Sequence, residues 1–231
     1  MSTQPNTTDT DVTILGGGLA GLTLAIQLRR QDPGLRVTVL ERNAHPVREA
    51  AFKVGESTVE IGANYFDTVL GLAEHLATRQ LKKFGFRFFF SDRRVDVDAT
   101  LELGASRYLA APAYQLDRGI FENYLAEHAR SLGVRFVDGA VVRAVELGPD
   151  AVPHVVRYEC GGQQCELQAR WIVDASGRAG LLKRKLGLAQ ANAHDVNAVW
   201  FRIGARVDID EWSSSSAWRT RCTPPNRWLS T

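Results

Sequence analysis

Cysteine and lysine are scarce in this sequence of 231 residues, whose formal net charge at pH 7 is only +2. The three cysteines are too few for a disulfide scaffold. Cys160 and Cys165 face each other across a predicted hairpin, where reduced thiols are expected and a disulfide is the alternative. Five of the 28 basic residues are lysines, and charges of both signs are scattered without a basic run. We therefore expect no nucleic-acid partner.

Long hydrophobic segments are also missing. Residues 12–28 carry no charge, but they contain four glycines and follow Asp9 and Asp11. A secretory signal has basic residues before its apolar core, and a membrane span needs about 20 apolar residues. The five histidines show no metal-ligand spacing among themselves or with a cysteine. The sequence thus predicts a cytoplasmic protein with no membrane contact and no metal.

The first 41 residues predict one strand-helix-strand unit. Residues 1–10 are polar and without an apolar period, which predicts a disordered leader. A short β-type run at 12–15, a glycine turn at 16–18, a helix over 19–30 and a strand over 36–41 then follow within about 30 residues. Such a crossover implies a parallel sheet.

The glycines of this unit fit G-x-G-x-x-G, with Gly16, Gly18 and Gly21 at the turn between strand and helix. A Cβ at either of the first two would hinder the turn and the approach of a pyrophosphate, and Gly21 lets the helix pack close to the strand. Glu41 lies 20 residues after Gly21, where its carboxylate can accept hydrogen bonds from a ribose. The pattern predicts dinucleotide binding, with a plain tight turn as the alternative.

Further elements follow downstream. Residues 81–90 alternate so that Phe84, Phe86, Phe88 and Phe90 share one face of a predicted strand, with Lys83 and Gly85 on the other. Asp117 is expected to cap a helix over 118–131. Strands are predicted at 134–137 and 140–147, a hairpin at 155–160 and 164–169, and a last strand at 171–173 that leads into Asp174-Ala175-Ser176-Gly177.

This last segment resembles the second fingerprint of FAD-dependent monooxygenases, in which the Asp faces the ribityl and phosphate region. Lys53-Val54-Gly55-Glu56-Ser57 resembles the strap that lies along the flavin in flavin-dependent halogenases of the tryptophan-halogenase-like family. Asp117-Arg118 and Phe121 match a D-R-x-x-F segment whose Arg reaches FAD, although Glu56 and Arg118 as surface ion-pair formers are the alternative. The cofactor-binding residues implied are Gly16, Gly18, Ala20, Gly21, Glu41, Arg42, Gly55, Glu56, Ser57, Arg118, Val142, Asp174, Ser176 and Gly177.

The same resemblance implies a catalytic lysine about 30 residues beyond the strap, on a strand of pattern K-x-x-[IF]-[KR]-F. Lys83 to Phe88 fits that pattern, and the alternation of the strand places Lys83 beside Gly85, away from the phenylalanines. Two alternatives remain open, namely that Lys83 belongs to a solvated face or that Lys82 is the catalytic residue.

The fold class implied is α/β, a Rossmann-like FAD-binding domain of the two-fingerprint, glutathione-reductase-like type. A β-meander and the start of a second, substrate domain accompany it. We expect a leader over 1–10 and an FAD-binding domain over 11–185, into which strands of the substrate side are inserted at 81–115. Residues 186–231 would begin the substrate domain. Because family members run to about twice this length and no W-x-W motif occurs, the resemblance implies an N-terminal fragment.

The activity implied is halogenation of an electron-rich aromatic small molecule. Halide is oxidised to hypohalous acid at the expense of O₂ and FADH₂, which a separate flavin reductase supplies, and Lys83 holds or delivers that oxidant. One alternative is an FAD-dependent aromatic hydroxylase, monooxygenase or reductase that uses NAD(P)H directly. Another is a non-catalytic FAD-binding remnant.

Overall fold

The structure is a computed structural model that describes residues 7–50, 53, 55–83, 86–91, 93–104, 112–150, 152–194, 196–201, 203–205 and 207–221. Val54, Phe84 and Gly85, which carry parts of the sequence predictions, lie outside these residues. The chain divides into two compact units, Met1–Val54 with Asp117–Ala193 and Gly55–Leu116 with His194–Thr231. The second unit therefore includes residues 55–80, which were predicted to belong to the FAD-binding domain.

The described residues form ten strands and six α-helices. In chain order these are β1 Thr7–Leu15, α1 Leu19–Gln31, β2 Val37–Leu40, α2 Glu60–Asn64, α3 Ala73–Arg79, β3 Leu81–Lys83, β4 Arg87–Phe90, β5 Leu101–Gly104, β6 Ala113–Gln115, α4 Arg118–Ser131, β7 Arg135–Val137, β8 Val141–Glu146, β9 His154–Cys160, β10 Gln163–Asp174, α5 Leu181–Lys185 and α6 Ser216–Arg221. One π-helical turn, Tyr65–Val69, continues α2, and single 3₁₀ turns lie at Val97–Ala99, Gly177–Ala179 and Ile209–Trp212.

The first unit contains one six-stranded sheet in the order β7-β2-β1-β10-β9-β8. The four strands β7, β2, β1 and β10 run parallel, and β9 and β8 add an antiparallel meander at the β10 edge. Apolar side chains of α1, among them Leu22 and Ile26, are fully buried, as is Ile14 of β1. A parallel sheet needs helices to cover it, and the buried side chains of α1 provide such a cover. The predicted α/β, Rossmann-like fold is therefore confirmed.

Strand β1 begins at Thr7, so part of the predicted leader is in the sheet. Its backbone pairs in parallel with β10, with Thr7 opposite Glu166 and Thr10 opposite Ala169. The sequence missed this extension because backbone hydrogen bonding to a long neighbouring strand needs no apolar period. The hairpin strand predicted at 164–169 and the strand predicted at 171–173 are likewise one continuous strand, β10.

The second unit contains two separate two-stranded sheets, β3 with β6 and β4 with β5. The single strand predicted over 81–90 is therefore wrong, because its two ends pair with different partners. Phe88 lies opposite Leu103 and Phe90 opposite Leu101, and these four side chains are all more than half exposed. Elsewhere in this unit Trp218 of α6 is fully buried, and Ser213 donates a hydrogen bond to Asp98 at 2.7 Å.

Helix α4 has the predicted bounds and the predicted cap. The Asp117 carboxylate accepts hydrogen bonds from the Gly119 and Ile120 amides at 2.9 and 3.1 Å, which satisfies two donors at the start of the helix. Its other oxygen accepts from the Ala50 amide at 2.8 Å. In the part of the chain that the structure describes, no helix has the length and hydropathy to cross a membrane.

Candidate functional site

A cavity of about 480 Å³ lies in the first unit, where β1, β2 and β10 end. Ligands of open α/β sheets bind at this edge, outside the carboxyl ends of the parallel strands. Nine of the fourteen predicted cofactor-binding residues line it, namely Gly16, Gly18, Ala20, Glu41, Arg42, Arg118, Val142, Ser176 and Gly177. Gly21 and Asp174 belong to the same unit without lining the cavity, and Gly55, Glu56 and Ser57 belong to the second unit.

The three motif glycines are required for different reasons. A Cβ on Gly16 would collide with the Ala175 carbonyl, and one on Gly21 would collide with the Gly16 carbonyl. At Gly18 the nearest protein atom to such a Cβ would be Glu122 Oε1, at 3.8 Å. The protein itself therefore requires glycine at positions 16 and 21, whereas a Cβ at position 18 would make only an ordinary van der Waals contact with Glu122.

Glu41 holds the glycine turn in place. Its side chain is buried, and Oε2 accepts a hydrogen bond from the Gly17 amide at 2.7 Å. Oε1 accepts from the backbone and side-chain amides of Asn43, at 2.8 and 2.7 Å. Because a carboxylate offers about four lone-pair sites, these bonds leave acceptor capacity for a ribose hydroxyl on the cavity side.

Asp174 organises the turn after β10. Its oxygens accept hydrogen bonds from the Ser176 amide and hydroxyl and, at 2.8 Å, from the Leu182 amide. Burial alone would raise the pKa of Asp174, but these hydrogen bonds outweigh it and hold the pKa below its ordinary value. The carboxylate thus orders the turn that carries Ser176 and Gly177, which line the cavity. A direct contact between Asp174 and the cofactor, which the resemblance implied, stays a prediction.

An ion cluster in the cavity was not predicted from the sequence. The Glu122 carboxylate pairs with the Lys53 ammonium and with the Arg118 guanidinium, and all three residues line the cavity. Glu122 follows Arg118 by one helical turn, so this i,i+4 pair could have been found from the sequence. The pairing of Lys53 with Glu122 could not have been found in this way, because the two residues are 69 positions apart along the chain.

His45 also lines the cavity, with its ring edge-on to Phe136 at a centroid distance of 4.8 Å. Burial lowers the pKa of His45 below 6.5, so the ring is neutral near pH 7. Among the described residues no group of His, Cys, Asp and Glu side chains could hold a metal ion.

The second unit brings together two predicted features, the segment 55–57 and Lys83. The Lys83 ammonium donates to Ser57 Oγ at 2.9 Å and to the Thr58 carbonyl, and it lies 4.1 Å from the centre of the Phe86 ring. Alternation had placed Lys83 on the face away from the phenylalanines. That expectation is wrong because β3 ends at Lys83 and β4 begins only at Arg87.

The cavity has the chemistry that FAD requires. Its lining includes the three glycines of the turn, the start of α1 and the cationic side chains of Arg42, Lys53 and Arg118. A helix N-terminus and cations together suit a pyrophosphate. Glu41 also lines the cavity, directly after β2, where the sequence predicts a ribose ligand. Together with the parallel sheet, these features define a dinucleotide-binding flavoprotein of the Rossmann type.

Comparison with known proteins agrees with this class. The chain matches the FAD binding domain family over residues 9–226, and it belongs to that family. FAD is therefore the cofactor, as the two fingerprints predicted.

The relatives of the chain include halogenases and monooxygenases. It is 33% identical over 201 residues to a 1H-pyrrole-2-carbonyl-[peptidyl-carrier protein] chlorinase of Pseudomonas fluorescens, an alignment that covers 79% of this chain and 42% of the chlorinase. It is 31% identical to a rifampicin monooxygenase of Streptomyces venezuelae, covering 78% of this chain and 34% of that enzyme. The solved flavin-dependent halogenase CmlS superposes with a TM-score of 0.62 at 29% identity, covering 78% of this chain and 31% of CmlS.

These figures confirm the resemblance to flavin-dependent halogenases that the motifs indicated. They also show that the chain spans less than half the length of the relatives it matches.

Proposed function

We propose that this chain supplies the FAD-binding part and the reactive lysine of a flavin-dependent halogenase. The observation that carries the proposal is the contact of the Lys83 amine with Ser57, the last residue of the segment that resembles the halogenase strap, and with Thr58, which follows it. FAD, when reduced and supplied with O₂, provides the oxidising equivalents that turn halide into hypohalous acid.

The environment of Lys83 favours a nucleophilic amine. Partial burial lowers the pKa of Lys83, and the nearby charge of Glu60 opposes this effect without cancelling it. A lower pKa increases the fraction of neutral amine, whose lone pair can accept a hydrogen bond or a halogen. Ser57 Oγ and the Thr58 carbonyl fix the nitrogen, and the Phe86 ring covers it from one side.

Lys83 can then act in two ways. It can donate a hydrogen bond to hypohalous acid and orient its halogen. Alternatively, the amine nitrogen attacks the halogen, water leaves, and a haloamine forms on Lys83. In either case the electron-rich ring attacks the halogen, whose bond to oxygen or nitrogen breaks. The ring then loses a proton and regains its aromaticity, and that proton completes a water molecule or restores the Lys83 amine.

The partners proposed are halide, a separate flavin reductase and an aromatic small molecule. The P. fluorescens relative is named for a pyrrole carried on a peptidyl carrier protein. An electron-rich ring of this kind is the substrate class to test first, in free and in carrier-bound form.

The decisive experiment is halide dependence in the complete natural protein, supplied with FAD, a flavin reductase, NADH and O₂. We expect ring products in which one hydrogen is replaced by bromine or chlorine, and only when bromide or chloride is present. Hydroxylated products formed without halide would contradict the proposal and support an aromatic hydroxylase, which the similarity to rifampicin monooxygenase favours. Bound FAD without either product would support the non-catalytic alternative.

The acidity of Lys83 can be tested without turnover. Burial disfavours the ammonium form of Lys83. We therefore expect acetic anhydride to acylate Lys83 at lower pH than it acylates the side-chain amine of free Nα-acetyl-lysine, whose pKa is about 10.4. Peptide mass spectrometry after labelling across pH 7–11 would measure this. Labelling of Lys83 at the same pH as the free amine, or at a higher one, would remove the argument for a nucleophilic amine.

A further inference from the structure

We propose that Lys53 is a phosphate-binding cation of the FAD site and that Glu122 is the residue that positions it. Lys53 begins the segment that resembles the halogenase strap, but neither Lys53 nor Glu122 is among the predicted cofactor-binding residues. The inference concerns cofactor binding alone, so it does not depend on halogenation.

Glu122 is the most deeply buried charged group of the cavity. Its side chain is only 1% exposed, whereas those of Arg118 and Lys53 are 15% and 36% exposed. A carboxylate is kept charged at such a depth only when donors surround it. The hydrogen-bond donors around Glu122 therefore identify the groups that it positions.

Each oxygen of Glu122 has its own partners. Oε1 accepts from the Leu19 amide in the first turn of α1 at 3.2 Å, and from Arg118 Nε at 2.9 Å. Oε2 accepts from the Lys53 ammonium. One buried carboxylate thus ties the start of α1, helix α4 and the segment at Lys53 to one point beside Gly18.

The charges of this cluster leave a surplus for a ligand anion. Lys53 and Arg118 together carry two positive charges and Glu122 carries one negative charge, so the cluster has a net charge of +1 at the positive end of the α1 dipole. Lys53 is the more exposed of the two cations and lines the cavity with Gly16, Gly17 and Gly18. An ammonium has three N–H donors, and Glu122 takes one of them. The others can bind a phosphate of FAD.

Glu122 could instead act as a competitor that occupies the phosphate position until FAD displaces it. Its burial argues against this role, since displacement would break the bonds to Leu19, Arg118 and Lys53 and leave a buried carboxylate without donors. A fixed Glu122 loses none of these bonds when FAD binds.

The first test is Lys53→Met in the complete natural protein, with FAD affinity followed by flavin fluorescence and ADP affinity by competition. We expect FAD and ADP to bind about tenfold more weakly, with adenosine unaffected, because adenosine lacks phosphate. Lys183→Met is the matched control, since Lys183 is an exposed lysine of the same unit that does not line the cavity. Unchanged FAD and ADP affinities in Lys53→Met would overturn the proposal for Lys53.

The second test is Glu122→Gln, which removes a negative charge beside the phosphate site. Electrostatics alone would then strengthen FAD binding. We expect instead about tenfold weaker binding, and little further loss when the variant is combined with Lys53→Met, because Glu122 acts through Lys53. Tighter FAD binding in Glu122→Gln would show that Glu122 competes with phosphate and would overturn the positioning role. Should Glu122→Gln not fold, as judged by circular dichroism, Glu122→Asp in the same cycle replaces it, since it keeps the charge and shortens the reach to Lys53.

Discussion

Replacement of Lys83 by alanine is expected to abolish halogenation while FAD remains bound. The Lys83 amine lies in the second unit, and the FAD cavity is lined by residues of the first. Removal of the amine takes away the group that holds the oxidant, so we expect product formation to fall by about 100-fold or more. Halogenated product should be measured by mass spectrometry, and FAD affinity and flavin reoxidation should be measured alongside it.

Lys82→Ala is the matched control for this experiment. Lys82 is the adjacent residue of β3, and its side chain is exposed, whereas the Lys83 ammonium is bound by Ser57 and Thr58. We expect Lys82→Ala to retain nearly all activity. If Lys82→Ala were the inactive variant, or if Lys83→Ala kept most of its halogenation, the assignment of Lys83 would be withdrawn and the hydroxylase alternative would gain support.

Replacement of Gly18 by leucine is expected to eliminate FAD binding without unfolding the protein. Apart from the adjoining residues, the nearest atom to a Cβ at Gly18 would be Glu122 Oε1 at 3.8 Å, an ordinary van der Waals distance, so the fold can accept a side chain there. That side chain would occupy the approach of the pyrophosphate, and we expect FAD affinity to fall by about 100-fold or more. Flavin fluorescence titration measures the affinity, and thermal unfolding measured by circular dichroism checks the fold.

Gly21→Ala, in the same motif, is expected to destabilise the fold itself. Its Cβ would collide with the Gly16 carbonyl, a backbone atom that cannot move without opening the turn. We expect a loss of about 1–3 kcal/mol in the free energy of unfolding. Gly62→Ala in α2 is the control, because no atom beyond the adjoining residues and the backbone of its own helix lies within 4 Å of its Cβ position.

A stable Gly18→Leu variant that binds FAD normally would show that the pyrophosphate does not approach at Gly18.

Much of the fold could be predicted because its signals are local. The glycine turn, helix α1 and strand β2 follow one another within about 30 residues, and each carries its own pattern of apolar or turn residues. The cap of α4 by Asp117 is also local, since a carboxylate reaches the amides two and three residues ahead.

Strand pairing was predicted less well. Thr7 to Thr10 join the sheet only because β10 extends beside them, and residues 81–83 and 87–90 separate because β6 and β5 are different partners. Nothing in the sequence distinguishes a polar segment that pairs with a long strand from a polar loop. In the same way, nothing marks an alternating segment that is divided between two sheets. Register depends on the partner strand, and the partner of Thr7 is as distant along the chain as Glu166.

The cofactor class could be predicted from the motifs, because a close approach of the backbone to a pyrophosphate admits only glycine, and this requirement is visible in the sequence. Which charged side chains act together depends on how the chain folds. The folded chain brings together residues that no motif links. It buries Glu122 between Lys53 and Arg118, turns Asp174 toward the loop that follows it, and places the Lys83 amine against Ser57. The physical reason is that burial fixes the pairing of charges, and burial is decided by chain segments far apart in the sequence.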